Sequence, residues 1–403
     1  MKILLNTTTL TIGGALQLAT SLIREALRRP SDIEWHLAMS RPVYDQVRQF
    51  HPSPIPRATV FEQSPARSSD ARKRLRELEA TIRPDCIFTP YGPTYVQFAA
   101  PHLMGAANPW VAHADIHAYQ VMGFPFEWLQ TFVLSIYRGY WFRKAEMLTV
   151  ETEYVRQGYH LRVGTPLPRI AVVPNTCGQH YLQHQGLRPY PKPGKRIRIL
   201  CFAAPYKHKR VDIASHVAAE LTARRPELDF EFVTTIAEGD PMVSRMKESA
   251  KALGVGSRIN NLGVVPVVAG PSLYESCDIC FMPTVLECFS ATYPEAMAMG
   301  LPIVTTDLGF LRDVCQDAAL YFPPNNSRIA AERILELLGS ESLWNRLIMA
   351  GKRVLRGLPT ASERFRMYVQ LLKQMRKTPE QASPLTHLPH HNRSSDSRMD
   401  AGI

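Results

Sequence analysis

Two glutamates eight positions apart, Glu287 and Glu295, bracket the turn Cys288-Phe289-Ser290-Ala291 and the start of an apolar helical pattern near Tyr293. A strand, a tight turn and a helix N-terminus in that order leave backbone N–H groups without partners, and the helix dipole adds partial positive charge. The amides of Phe289, Ser290 and Ala291 are then placed to meet an anion. A carboxylate on each side would repel a bare phosphate. It would accept hydrogen bonds from hydroxyls attached to that phosphate. A nucleotide-sugar has this layout, with diphosphate in the middle, sugar on one side and ribose on the other. The blander alternative makes Glu287 a helix cap and Glu295 a solvated helix residue. The apolar strand pattern before the turn and the Gly300-Leu301-Pro302 turn into a further apolar run weigh against it.

Other stretches could serve the same chemistry. Lys207-His208-Lys209-Arg210 follows an apolar run that ends at Ala203. Cations in such a strand-end loop pair with a diphosphate and stabilise it as a leaving group. Gly13-Gly14 follows the first apolar run, and a glycine pair lets backbone approach a ligand closely at a helix start. His113 ends the run Trp110-Val111-Ala112, and an imidazole there can bond a sugar hydroxyl or a developing charge. Asp115 and His117 stand close by. The aromatic segment 124–144 ends in Arg143-Lys144. It fits a helix lying on an anionic leaflet, or a buried helix covering a sheet.

Apolar runs alternate with helical patterns along most of the chain, which predicts doubly wound parallel sheets with ligands beyond the C-terminal strand ends. Strands are expected at Lys2–Leu5, Ile33–Met39, Asp85–Thr89, Trp110–His113, Glu146–Glu151 and Ile170–Val173. The Pro- and Ser-rich residues 51–70 read as a loop. A second set is expected at Arg196–Ala203, Phe230–Thr234, Ile259–Leu262, Ile279–Met282, Ile303–Thr305 and Leu320–Phe322. The expected organisation is a first domain over 1–180, a linker over 181–196 and a second domain over 197–361. A helix over 362–376, capped by Ser362, and a polar disordered tail over 377–403 follow. The tail's His387, His390 and His391 read as solvated.

A chain of 403 residues is too long for one core and suits two domains. The 47 Lys+Arg against 36 Asp+Glu, a formal net charge of +11, favour phosphorylated small molecules or an anionic membrane. No nucleic-acid module is present, so nucleic acid is not expected as a partner. Seven cysteines, an odd number lying mostly in apolar runs, read as buried thiols of a cytoplasmic protein, Cys277 and Cys280 included. No run of 18 apolar residues predicts a membrane-spanning helix.

The stretch from Pro283 to Pro302 resembles the E-x7-E signature of retaining family 4 glycosyltransferases, which have the GT-B fold. The resemblance is strong from Ile199 to Pro323 and weak in the first domain. It implies two Rossmann-like α/β domains facing across a cleft, and transfer of a sugar from a nucleoside-diphosphate-sugar to a hydroxyl of a growing glycan. It implies that Glu287 holds the donor sugar hydroxyls and Glu295 the ribose, and that Lys209 with the amides of Phe289, Ser290 and Ala291 neutralises the diphosphate. His113 falls near the transferred sugar, and Gly13 and Gly14 on the family's Gly-rich loop. The loop containing Val264 falls where backbone holds the nucleotide base. Ala204 stands where the family commonly has Arg, which leaves Lys207 or Arg210 to supply a second cation. Asn175 reads as a structural turn residue. No Asp-x-Asp motif is placed to hold a metal, so no metal or other cofactor is expected. Basic surface and cytoplasmic location suggest a lipid-linked acceptor in surface polysaccharide assembly, met at the inner face of a membrane. Two alternatives remain: a nucleotide-sugar epimerase of the same architecture, and a non-catalytic donor-binding subunit, motivated by Ala204.

Overall fold

The computed structural model describes residues 1–11, 13–28, 32–183 and 186–376. The expected tail over 377–403, its three histidines, and positions 184 and 185 of the expected linker lie outside the described residues. Within them, two all-parallel sheets form. The first contains β1 (Lys2–Thr7), β2 (Glu34–Ser40), β3 (Ala58–Phe61), β4 (Cys86–Thr89), β5 (His102–Gly105), β6 (Met147–Val150) and β7 (Ile170–Val172), in the order β3-β2-β1-β4-β5-β6-β7. The second contains β8 (Ile197–Cys201), β9 (Phe230–Thr234), β10 (Ile259–Asn261), β11 (Ile279–Met282), β12 (Ile303–Thr306) and β13 (Ala319–Phe322), in the order β10-β9-β8-β11-β12-β13.

Parallel strands read as unbroken apolar runs because helices cover both faces. β1 shows the consequence. Ile3 and Leu5 point to the face packed by Leu22 and Ile23 of the Gly13–Arg28 helix. Leu4 points to the opposite face, against Leu75 of the Ser69–Ile82 helix. The second sheet repeats the plan. Ile199 and Phe281 meet Val217 and Trp344 on one face, while Leu200 and Met282 meet Tyr293 and Leu311 on the other. All seven cysteines are buried free thiols.

Three local expectations fail for identifiable reasons. Trp110–His113 is not a strand. Pro109–Ala112 is a helical turn, started by Asn108, whose Oδ1 accepts the Val111 N–H at 3.3 Å, with Pro109 in its first turn. The strand is His102–Gly105, and His113 caps the end of the helical turn. Residues 51–70 are not all loop. They hold β3, an edge strand whose first three residues are only half-buried, so it lacks the continuous apolar signal of a central strand. The last helix, Ala361–Arg376, is capped by Thr360 rather than Ser362. Thr360 Oγ1 accepts the Glu363 N–H at 3.2 Å, and Glu363 Oε2 accepts the Thr360 N–H at 2.8 Å, a reciprocal capping box. Ser362 instead donates to Glu25 Oε2 of the first domain at 2.8 Å.

That last helix returns to the first domain. Phe365, Tyr368 and Leu372 complete its core beside Trp35 and Phe88. Its Arg364, almost fully buried, bonds Asn175 Oδ1. Asn175 Nδ2 in turn donates to Glu151 Oε1 at 2.8 Å, and Tyr91 donates to the same oxygen at 2.5 Å. Burial raises the Glu151 carboxyl above its ordinary range, with the Tyr91 hydrogen bond opposing. Asn175 thus joins the end of β6 to the returning helix.

Candidate active site

The loops after β8, β11 and β12 all leave from C-terminal strand ends, on one rim of the second sheet. A 3₁₀ turn, Lys207–Lys209, follows β8. The β11 loop pins it: Val285 N–H donates to His208 O at 2.8 Å, and Thr284 Oγ1 donates to the same oxygen at 3.1 Å. This brace sets Lys209 against Glu287. Their charged groups form an ion pair, each side chain only 11% exposed. Lys209 Nζ also reaches Ser290 Oγ at 3.4 Å. Burial pulls the Lys209 ammonium down to about 7. The facing Glu287 carboxylate opposes that fall, because an opposite charge favours the protonated amine.

Glu295 lies in the first turn of the Thr292–Ala298 helix. Its Oε2 accepts from Tyr274 Oη at 2.9 Å. Tyr274 belongs to the Gly270–Glu275 helix and is fully buried, with Tyr181 and Phe202 packed edge-on to its ring. Burial raises the Glu295 carboxyl to about 7, with the Tyr274 hydrogen bond opposing. Thr292 Oγ1 donates to Phe202 O at 3.1 Å, which ties the helix start to the end of β8. Among the described residues, no backbone carbonyl accepts from the N–H groups of Phe289, Ser290 or Ala291. The turn therefore offers donors, a cation and two carboxylates within one stretch of chain and its brace.

The remaining candidates are placed as follows. Gly13 has φ +66°, a backbone that glycine suits, and a Cβ at either Gly13 or Gly14 would meet nothing within 4 Å, so this loop faces open space. Val264 follows Gly263 (φ +73°) and is exposed, as are Val267 and Val268 in the same loop. Lys207 points away from Lys209 and pairs with Glu127 of the first domain. Arg210 turns to Asp212 and Asn325. Neither cation therefore stands beside Lys209.

His113 is separate from the Lys209–Glu287 pair. It is buried against Tyr154 and Phe310, with ring centroids at 5.1 and 5.2 Å. It lines an interdomain cleft of about 710 Å³, together with Asp115, Arg162, Arg312 and Asp313. Among the described residues neither ring nitrogen has a hydrogen-bond partner. Burial, helped by Arg162, pushes the imidazole down to about 4, so it is neutral at physiological pH. Asp313 Oδ2 accepts the Tyr154 N–H at 2.8 Å and bridges the domains beside it. Leu286, next to Glu287, packs with Ala114, next to His113. That contact sets the two candidate catalytic residues on either side of one interdomain joint.

Residues 187–354 match the family of glycosyl transferases group 1. The second domain is a glycosyl transferases group 1 domain. All its candidate residues, from Lys207 to Glu295, fall inside the matched range. Among curated relatives, 2-deoxystreptamine N-acetyl-D-glucosaminyltransferase of Streptomyces fradiae is 25% identical over 253 residues, 59% of this chain and 58% of that protein. O-antigen chain mannosyltransferase B of Escherichia coli is 32% identical over 105 residues, 26% of each chain. The match thus spans little more than half of the first relative and about a quarter of the second. Among solved structures, Anabaena HepE in complex with UDP-glucose superposes with a TM-score of 0.67 at 13% identity, covering 93% of this chain and 100% of that one. The likeness extends the GT-B fold over both domains, the group 1 domain forming the second half.

Proposed function

We propose that the chain is a retaining glycosyltransferase that moves a sugar from a nucleoside-diphosphate-sugar to a hydroxyl of a growing, lipid-linked glycan in surface polysaccharide synthesis. The buried Lys209–Glu287 pair, braced at the C-terminal strand ends beside donor-rich backbone, carries this reading. A donor exchanges one ion pair for two better-matched contacts. Lys209, Ser290 and the amides of Phe289 to Ala291 take the diphosphate, and Glu287 accepts from sugar hydroxyls. Charge that develops on the leaving diphosphate is met by groups already in place, and such preorganised electrostatics supply most of the rate gain in many enzymes. Glu295, held by Tyr274, accepts from the ribose hydroxyls. The loop around Val264 holds the base by backbone, and Gly13 and Gly14 allow close approach from the first domain. Neutral His113 can accept from, or donate to, a sugar or acceptor hydroxyl without adding charge. Lys209 supplies the cation, so no metal is required. The glycosyltransferase names of the relatives support the reaction class, and the O-antigen chain mannosyltransferase supports a growing glycan chain as acceptor.

The test begins with thermal shift against a panel of nucleotide-sugars. A true donor at about 100 times its dissociation constant stabilises the fold by about 2.7 kcal/mol. Transfer of that sugar, with the product anomer read by NMR, completes it. Stabilisation by no member of the panel, or a product of inverted configuration, would overturn the proposal. Stabilisation without any transfer would assign the chain to a binding subunit.

A further inference from the structure

The helix Phe126–Phe142 is apolar on the side that packs, through Trp128 and Phe142, and exposes large apolar side chains on its outward side as well. Its inward-lying side is made by Trp128, Thr131, Ser135, Arg138, Gly139 and Phe142, of which only Gly139 and Phe142 are buried. Its outward side carries Phe126, Leu129, Val133, Ile136, Tyr137 and Tyr140. Phe126 is 84% exposed and Ile136 60%. An ordinary surface helix turns its apolar stripe to the core and its polar side to water. Here an apolar stripe also faces out, preceded by Phe124, also 84% exposed. An apolar patch this continuous on a folded chain marks an interaction surface.

Charge selects the partner. From Trp128 to Ala145 the chain has no acidic residue and ends in Arg143 and Lys144, both exposed. Lys144 Nζ stands 4.8 Å over the Tyr140 ring, the arrangement of a cation at the edge of an apolar layer. The one acid of the helix, Glu127, is already paired with Lys207. A second copy of this face would offer these cations few carboxylates, Glu127 being paired and Glu146 lying just beyond the face. An anionic headgroup layer offers many. The helix spans roughly 25 Å at 1.5 Å per residue. Among the described residues no helix is long and apolar enough to cross a membrane.

We infer that the outward face of Phe126–Phe142 docks on an anionic lipid bilayer, lying in the interface plane with its aromatic and aliphatic side chains in the acyl boundary and Arg143 and Lys144 at headgroup level. The surface is independent of the reaction: its test needs neither donor nor acceptor, and its failure leaves the donor-site assignments standing. The experiment is co-sedimentation of the full chain with vesicles of phosphatidylcholine alone and of phosphatidylcholine mixed with phosphatidylglycerol. The chain pellets with the mixed vesicles and more weakly with the neutral ones. Leu129→Ser combined with Ile136→Ser, and separately Arg143→Glu combined with Lys144→Glu, each lower partitioning roughly tenfold or more. All four positions are exposed, so both variants keep the wild-type melting temperature. Wild-type chain left in the supernatant with both vesicle types, or undiminished binding by the Leu129/Ile136 variant, overturns the inference. A wild-type dimer in light scattering that the same variant abolishes, without vesicle binding, overturns it too and assigns the face to a second copy.

Discussion

Lys207 and Lys209 share one 3₁₀ turn, and each pairs with a glutamate, yet the two pairs differ in nearly every other respect. Lys209 and Glu287 are each 11% exposed and belong to the same domain. Lys207 and Glu127 are 43% and 48% exposed and span the two domains. Water screens the second pair, and exposed pairs of this kind contribute little. The first pair sits where water is scarce, so each charge there is costly alone and strong when matched. Two positions along one turn separate an exposed interdomain tie from a buried charge pair. Burial, not residue type, makes the distinction.

The comparison can be broken most directly at Lys209. Lys209→Met keeps the apolar stem and removes the charge. It is expected to cut kcat/KM roughly a hundredfold or more, a typical loss for one charge stabiliser in a dry site. Lys209→Arg retains more activity, which separates lost charge from lost packing. Steady-state kinetics that leave Lys209→Met near wild type would move the role to another cation.

Glu295→Ala is expected to be milder. It raises the donor KM about tenfold and changes kcat less, because ribose contacts are made equally in ground and transition states. The pH profile sharpens this. Glu295 ionises near 7, so donor affinity gained through its carboxylate is lost as pH falls through that value. Lys209 loses its proton as pH rises, and Glu287 holds that limb above the value burial alone would set. Donor binding is therefore bell-shaped. Titrated by calorimetry, Glu295→Gln flattens the acid limb and Lys209→Arg the alkaline one. A wild-type profile flat from pH 5 to 9 would separate both groups from the donor.

Lys207→Ala, at the exposed pair, is expected to change kcat/KM no more than about fivefold, in keeping with a coupling of at most about 1 kcal/mol. A loss as large as that of Lys209→Met would erase the contrast between the two lysines. The smallest effect is expected from chelation. Sugar transfer after exhaustive treatment with EDTA is expected to proceed at an unchanged rate if Lys209 and backbone amides meet the diphosphate as proposed. Activity lost on chelation and restored by magnesium or manganese would reassign Glu287 and Glu295 to a metal.

The doubly wound, two-sheet architecture was legible because strands buried on both faces leave unbroken apolar runs, as in Ile279–Met282 and Phe230–Thr234. Legibility failed where burial was partial or where a local helix-start signal ran against an apolar run. β3 is a half-buried edge. The run Trp110-Val111-Ala112 mimics a strand, although Asn108-Pro109 before it is a helix start. Thr360 and Glu363 spell a capping box that residue types alone reveal. At the candidate site, the spacing of Glu287 and Glu295 marked the turn between β11 and the Thr292–Ala298 helix. Their partners were not legible. Tyr274 lies 21 positions from Glu295, and Lys209 lies 78 before Glu287, so only the parallel strand order brings them together. The Glu127–Lys207 tie and the outward apolar face of Phe126–Phe142 were equally hidden, because residue type does not say which side of a helix faces water.

The returning Ala361–Arg376 helix has a consequence for the order in which the molecule is made. Cys86 Sγ contacts Leu372 O across 286 positions, and Leu372 seals the same apolar layer as Ile3 and Leu5. On the ribosome, the first sheet emerges and waits for this segment while the whole second domain is synthesised. During that interval Trp35 and Phe88 lack their lids, Phe365 and Tyr368. A chain truncated before residue 361 is expected to leave this apolar surface open and to self-associate, which light scattering of the truncated protein would show.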